Sequence, residues 1–156
     1  MAISGTSTNY SGRKIDLHIM QGVKAPATTS ITPSVGVISN YCTGIQKLVQ
    51  RYAIMLLTEL GSQEPYPEFG SNFLTKLTSS SSIFNVRDVY HIFAFANDKV
   101  SKEIIAYQID NILPEDEQLN TASLLDVVPQ SEGVALKIQI VPMSNTAVEF
   151  IIPLPN

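Results

Sequence analysis

The chain has one cysteine and two histidines among its 156 residues. A lone thiol cannot form an internal disulfide, and Cys42 with the separated His18 and His91 falls short of the four ligands of a structural zinc site. The sequence also lacks the glycine-rich motifs that bind nucleotides. We therefore expect no metal and no other cofactor, and we interpret these three residues as structural.

Charged residues are also scarce, at 15% of the chain with a net charge of -4. Nucleic-acid binding depends on clustered Lys and Arg, and the nearest approach here is Lys47 with Arg51, which we interpret as a solvated helix face. No apolar run reaches the roughly 20 residues that cross a bilayer, and the N-terminus lacks the apolar segment of a signal peptide. We expect a soluble protein made in the cytoplasm, with neither nucleic acid nor membrane as partner.

The first 40 residues are rich in Ser, Thr, Gly and Pro and contain one short alternation of apolar and polar residues, at 15–20. Such alternation is typical of a strand with one buried face. The rest of this stretch offers turn residues without a sustained period. We expect 1–40 to be an extended N-terminal arm and 41–156 to be a single domain.

Helical spacing of apolar residues begins after the arm. Over 43–60 it predicts an amphipathic helix with Thr43 as N-cap and Gly61 as the stop. A short helix is expected to follow, capped by Ser71.

The longest helical pattern covers 85–113, with Asn85 as N-cap and Pro114 as the residue that ends it. Its apolar stripe is widened by Ile92, Phe95, Ile105 and Ile109. A wide stripe indicates that this helix is covered on more than one side.

Three short runs rich in β-branched and apolar residues complete the chain, separated by tight turns. In the middle run Val134, Leu136, Ile138 and Ile140 share one apolar face, which is typical of a half-buried strand. The sequence therefore predicts an α+β fold. Two main helices and a short helix pack on a small antiparallel C-terminal sheet, with the extended N-terminal arm appended.

Three glutamates lie between the first two helices and are the best candidates for catalysis. Glu59, Glu64 and Glu68 could supply the carboxyl pair of a glycosidase. A catalytic acid also needs a desolvated setting, whereas these residues lie among prolines and glycines typical of a surface loop. We favour the structural interpretation and keep a peptidoglycan hydrolase as the alternative. In the same loop Pro65 and Pro67 are expected to stiffen the path, and Tyr66 and Phe69 to anchor it on the core.

The order of these segments, together with one motif, resembles a known family. A Thr-x-x-Gly sequence closes the first helix, and Pro-x-Phe-Gly-Ser precedes the second. The residues that carry the resemblance are Leu57, Thr58, Gly61, Pro67, Phe69, Gly70 and Ser71. Over about residues 43–154 the chain resembles the baseplate wedge and sheath-initiator family of contractile phage tails, which is related to a type VI secretion baseplate subunit.

The resemblance implies a structural protein that performs no chemistry, although some members carry the name tail lysozyme. Its implied partners are baseplate wedge proteins and the tail sheath protein, with tail tube or hub proteins as further candidates. Tail symmetry implies six copies in the baseplate of a virion that assembles in the host cytoplasm. A cytoplasmic adaptor of the same fold is a further alternative.

Strand addition to the last run is the mechanism that the resemblance implies for sheath initiation. Val148, Phe150 and Ile152 are expected on one face of that strand, with Glu149 and Ile151 on the other. An edge this apolar is an aggregation hazard unless a partner covers it.

The family's wedge-docking motif, Glu-Pro-Arg, has no full counterpart in this sequence. Asp116, Glu117 and Gln118 occupy the corresponding turn, and the arginine is missing. The resemblance implies wedge docking by this turn. Without the arginine, we expect either that the turn does not dock on the wedge or that its acidic surface meets a different partner.

Overall fold

The computed structural model describes residues 16–17, 20–25, 28–33, 41–79, 85–131 and 133–155. Its contacts divide the chain into two compact units, one from 1–50 with 113–156 and the other from 51–112. The fold is α+β, as the sequence predicts. Single-domain organisation of 41–156 stays a prediction, and His18 lies outside the described residues.

The first unit contains a five-stranded sheet. Its three C-terminal strands are β5 (Leu119–Gln130), β6 (Gly133–Pro142) and β7 (Val148–Pro155), and they form the expected antiparallel meander. The sheet is completed by two strands of the N-terminal arm, β2 (Met20–Ala25) and β3 (Thr28–Pro33). The order across the sheet is β2-β3-β7-β6-β5.

The apolar face of β6 is buried as predicted. Val134, Leu136, Ile138 and Ile140 are all buried. On the other face Lys137, Gln139 and Val141 are half-buried, and the small Ala135 is buried as well. This alternation follows from the two-residue period of a strand, which sends successive side chains to opposite faces.

A second, two-stranded sheet pairs β1 (Asp16–Leu17) with β4 (Tyr41–Cys42). The described parts of the arm are thus extended, and they pair with other strands of the same unit. The alternation at 15–20 predicted one strand, but the structure divides this region between β1 and the start of β2.

The first helix, α1, spans Ile45–Leu57 and contributes residues to both units. Its N-cap is Gly44, whose carbonyl oxygen accepts the first helical bond from the Leu48 amide at 3.2 Å, so the expected Thr43 cap is one residue too early. The helix also ends at Leu57, before the expected Gly61, because the carbonyl oxygen of Thr58 accepts a hydrogen bond from the Ser71 amide at 2.8 Å and not from a further turn of helix.

The second unit contains two further helices, α2 (Phe73–Ser79) and α3 (Val86–Asp110). The Asn85 side chain accepts a hydrogen bond from the Arg87 amide at 3.0 Å, so this predicted N-cap is confirmed. The α3 helix ends at Asp110, before the expected stop at Pro114.

Aromatic residues fill the interior of the second unit. The rings of Phe73 and Phe93 meet edge to face with centroids 6.1 Å apart. Tyr52 is fully buried, and its hydroxyl donates to the Asn97 side-chain oxygen at 2.6 Å. Burial raises the pKa of the Tyr52 phenol, because the phenolate would lose its hydration.

The expectation that α3 is covered on more than one side is wrong for two of its apolar residues. Phe95 is 71% exposed and Ile109 is 78% exposed. Lys76 places its ammonium 5.5 Å from the Phe95 ring centroid but leaves most of the ring in solvent. No helix in the described ranges is both long and apolar enough to cross a membrane.

Candidate functional site

The corner between α1 and α2, residues 58–72, is held by backbone hydrogen bonds. The Ser71 amide donates to the Thr58 carbonyl at 2.8 Å, and the Leu60 amide donates to the Ser71 carbonyl at 3.1 Å. These bonds form a short parallel bridge between Glu59 and Ser71. The bridge closes the corner into a loop whose two ends lie side by side.

Two motif residues fit this bridge closely. The buried Ser71 hydroxyl donates to the Leu56 carbonyl at 2.6 Å and accepts from the Phe73 amide at 3.2 Å, so it joins the end of α1 to the start of α2. Gly70 has φ of +103°, and a Cβ added there would lie 2.5 Å from the Thr58 carbonyl oxygen. Only glycine fits this position without displacing backbone.

Lys99 of α3 anchors the same corner, and sequence reasoning missed it. Its ammonium donates to the carbonyl oxygens of Glu68 at 2.8 Å and Gly70 at 2.9 Å, and it also pairs with the Glu103 carboxylate. In the sequence this lysine resembles any solvated residue of an i, i+4 ion pair. No local pattern indicates that its ammonium binds carbonyls about thirty positions earlier.

The aromatic residues of the corner differ in their contacts. Phe69 is half-buried, but Tyr66 is 68% exposed, so the expectation that Tyr66 anchors the loop on the core is wrong. Of the remaining motif residues, Leu57 is half-buried whereas Gly61 and Pro67 are exposed.

A groove of about 770 Å³ lies beside this corner. It is lined by Arg51, Met55, Gln63, Pro65, Tyr66, Pro67, Glu68, Phe69, Glu103, Ile104 and Tyr107. The Arg51 guanidinium lies 4.3 Å from the centroid of the Tyr107 ring, a cation–π contact. Of the three candidate catalytic glutamates, only Glu68 lines the groove, and Glu68 and Glu64 are exposed. The groove therefore does not bring the three together.

The acidic turn is a short 3₁₀ helix at Glu115–Glu117, and its last carboxylate points inward. Glu117 accepts hydrogen bonds from the Gly44 amide at 3.0 Å and from the Lys47 ammonium at 3.0 Å. The side chains of Lys47 and Glu117 are only 8% and 4% exposed. The carboxylate thus caps the N-terminus of α1, where the helix dipole favours negative charge.

This geometry corrects the interpretation of Lys47 as part of a solvated helix face. It also gives Glu117 an internal role within the predicted docking turn. Gln118 is engaged internally as well, because its side-chain amide donates to the Leu113 carbonyl at 2.6 Å. Asp116 is half-buried. Wedge docking by this turn stays a prediction.

The predicted strand interface, 148–152, lies in the middle of the five-stranded sheet. Phe150 and Ile152 are buried, while Val148, Glu149 and Ile151 are half-buried. One side of β7 pairs with β6 over eight register positions. The other side pairs in parallel with β3, at Phe150 and Ile151. Sequence reasoning missed this second pairing, because its partners are more than a hundred residues apart.

Cys42 is buried beside the Lys47–Glu117 pair, and burial raises the pKa of its thiol to about 11, with the Asp16 carboxylate adding to the shift. The reactive form of a thiol is the thiolate. No cluster of three or more His, Cys, Asp or Glu residues suited to a metal occurs in the part of the chain that the structure describes.

We expect the folded protein to be nearly inert to a thiol reagent such as dithionitrobenzoate at pH 8. With a pKa near 11 the thiolate fraction at pH 8 is roughly a thousandth, about 100-fold below that of a thiol at 9.0. The measurement compares rates for native and guanidinium-unfolded protein. Equal rates would show that the Cys42 environment is wrong.

No protein-family model matches the chain, and no curated protein matches it. Among solved structures, the chain is similar to the crystal structure of a Geobacter sulfurreducens protein that has been given the name tail lysozyme. The similarity covers 78% of this chain and 96% of that one, at 16% identity and a TM-score of 0.46. A likeness this low does not carry that protein's name or activity over to this chain.

Proposed function

We propose that the protein is a structural subunit of the baseplate of a contractile tail. In this proposal it docks on the wedge, and the first sheath subunits add strands to its C-terminal sheet. The observation that carries the proposal is the pairing of β7. It pairs with β6 on one side over eight positions, and among the described residues its other side pairs with β3 at two. A strand with this arrangement suits recognition by strand addition.

The corner motif supports the same proposal. At position 70 the Thr58 carbonyl leaves no room for a Cβ, and at position 71 a buried hydroxyl is needed to join Leu56 and Phe73. The motif therefore has a clear structural purpose. A rigid corner without a catalytic constellation is consistent with a scaffold subunit.

Large exposed apolar side chains also favour an assembled state. Phe95 and Ile109 of α3, with the fully exposed Ile112 just beyond it, leave apolar surface in solvent. Surfaces of this kind commonly mark contacts with other proteins. We propose wedge proteins as the partners here, with six copies of the subunit in each baseplate.

Truncation of the last strand tests the proposal. We expect baseplates built with a subunit lacking 147–156 to form but to carry no sheath, because the strand that accepts the sheath is gone. The readout is electron microscopy of tails, with incorporation of the subunit into baseplates as the check that it folds. Should truncation prevent incorporation, Ile151→Pro replaces it, because this change removes one backbone N–H donor of β7 and leaves the rest of the chain in place. Sheaths of normal length on either kind of baseplate would refute strand addition.

The peptidoglycan hydrolase remains the competing function, and no contact of the three glutamates favours it. Glu68 is the member that lines the groove, so it is the one to change. Turnover of purified peptidoglycan by the protein, abolished by Glu68→Gln and retained by Glu64→Gln, would establish the hydrolase in place of the scaffold.

A further inference from the structure

The two outer strands of the C-terminal meander, β5 and β7, differ in how well they can accept another strand. The pairing of β5 with β6 shifts register twice, between Leu119 and Thr121 and between Leu124 and Asp126. The strand also carries Pro129 near its end. Bulges and prolines twist an edge and remove donors, which protects it from further pairing. Strand β5 is therefore a poor acceptor.

Strand β7 keeps a regular register along its whole pairing with β6. Its residues 148–152 all carry a backbone N–H, whereas Pro153 and Pro155 do not. A strand added to the outer side of β7 therefore finds an unbroken run of backbone amides only at 148–152. In the structure, β3 pairs with Phe150 and Ile151, at the centre of that stretch. The two pairings exclude each other.

Strand β3 pairs more extensively with β2, its partner in the hairpin, than with β7. Its two strands share six antiparallel register positions, while β3 and β7 share two parallel ones. Parallel pairing is also slightly less stable for each residue. The hairpin can thus leave β7 as a unit without losing its own pairing.

We propose that the β2–β3 hairpin is a built-in placeholder, which covers the acceptor side of β7 in the free subunit and is replaced there by the incoming sheath strand. The inference rests on the proposed function. It explains how an apolar acceptor strand avoids pairing with other copies before assembly, which is the usual hazard of an open edge. It also makes strand addition conditional on release of the hairpin.

A reversible disulfide between β3 and β7 tests the placeholder. Ser30 and Ile151 are register partners on adjacent strands, whose spacing of about 4.8 Å suits a disulfide. In the full chain with Ser30→Cys and Ile151→Cys, we expect the oxidised subunit to enter baseplates but to start no sheath. Dithiothreitol should restore sheath assembly. The native Cys42 is buried and is common to all variants.

The matched control places the disulfide inside the hairpin. Val23 and Ser30 are register partners of β2 and β3. The variant with Val23→Cys and Ser30→Cys therefore shares one substitution with the β3–β7 disulfide variant, which we call the lock, but its hairpin can still separate from β7. We expect this control to assemble sheath in both redox states. Hydrogen exchange can be measured on the isolated subunit. The oxidised lock should exchange the β3 and β7 amides about tenfold or more slowly than the control.

Each outcome has a defined meaning. Normal sheath on the oxidised lock overturns the placeholder and leaves the scaffold function standing, since the sheath then adds elsewhere, for example to β2. A disulfide that links two chains on a non-reducing gel assigns the hairpin to a second copy and also overturns it. Failure of the unmodified subunit to support any sheath overturns the proposed function, and the placeholder with it.

Discussion

Replacing Gly70 by alanine is expected to lower the free energy of unfolding by about 4 kcal/mol or more, a large share of the stability of an ordinary domain. Two costs combine at this position. The backbone has φ of +103°, which residues with a Cβ rarely adopt. The added Cβ would also lie 2.5 Å from the Thr58 carbonyl oxygen, which is itself fixed by the Ser71 amide. Chemical denaturation followed by circular dichroism measures the loss.

Gly61 is the matched control within the same corner. It also has positive φ, at +80°, but a Cβ there meets nothing within 4 Å. Gly61→Ala therefore isolates the conformational cost, which is about 1 to 2 kcal/mol. A Gly70→Ala variant no less stable than Gly61→Ala would show that the corner is not closed by the Thr58–Ser71 bridge.

The elements with strong local periodicity could be predicted from the sequence. The long helix α3 and the C-terminal meander occur where their apolar spacing places them, and the Asn85 cap is confirmed. Helix ends were less predictable, because they depend on contacts that local sequence does not show. The α1 helix stops at Leu57. The Thr58 amide still donates to the Ile54 carbonyl, but the Thr58 carbonyl accepts from the Ser71 amide and not from a following turn of helix.

The interactions that build the candidate site are mostly non-local. Glu117 meets Lys47 across seventy positions, and Lys99 reaches the carbonyls of the corner from α3. Sequence reasoning assigned Lys47 to a solvated helix face and gave Lys99 no role. The pairing of β3 with β7 joins the two ends of the chain and has no local signal either. The motif could thus be located from the sequence, whereas the residues that hold it could not.

Glu117→Ala is the second change with a large expected effect, a loss of about 3 to 5 kcal/mol in the free energy of unfolding. It leaves the buried Lys47 ammonium without its carboxylate and the Gly44 amide without its acceptor. Removing one member of a buried ion pair is costly because the remaining charge keeps its desolvation penalty. By contrast, Asp98→Ala breaks an ion pair whose side chains are 63% and 74% exposed, and it should cost at most about 0.5 kcal/mol.

A double variant separates the two contributions of Glu117 to stability, namely its ion pair with Lys47 and its hydrogen bond to the Gly44 amide. Lys47→Met with Glu117→Leu removes both buried charges together, so we expect it to recover more than half of the loss seen for Glu117→Ala. The remainder is the cost of the unsatisfied Gly44 amide, about 1 to 3 kcal/mol. Denaturation of the single variants Lys47→Met and Glu117→Leu, together with the double variant, gives the coupling directly. Additive losses would contradict the ion pair, because the partners of a direct contact must show coupling when both are changed.

If the coupling is found, the acidic turn stabilises the start of α1 through Glu117. Any contact of this turn with a partner then falls to the more exposed residues beside Glu117.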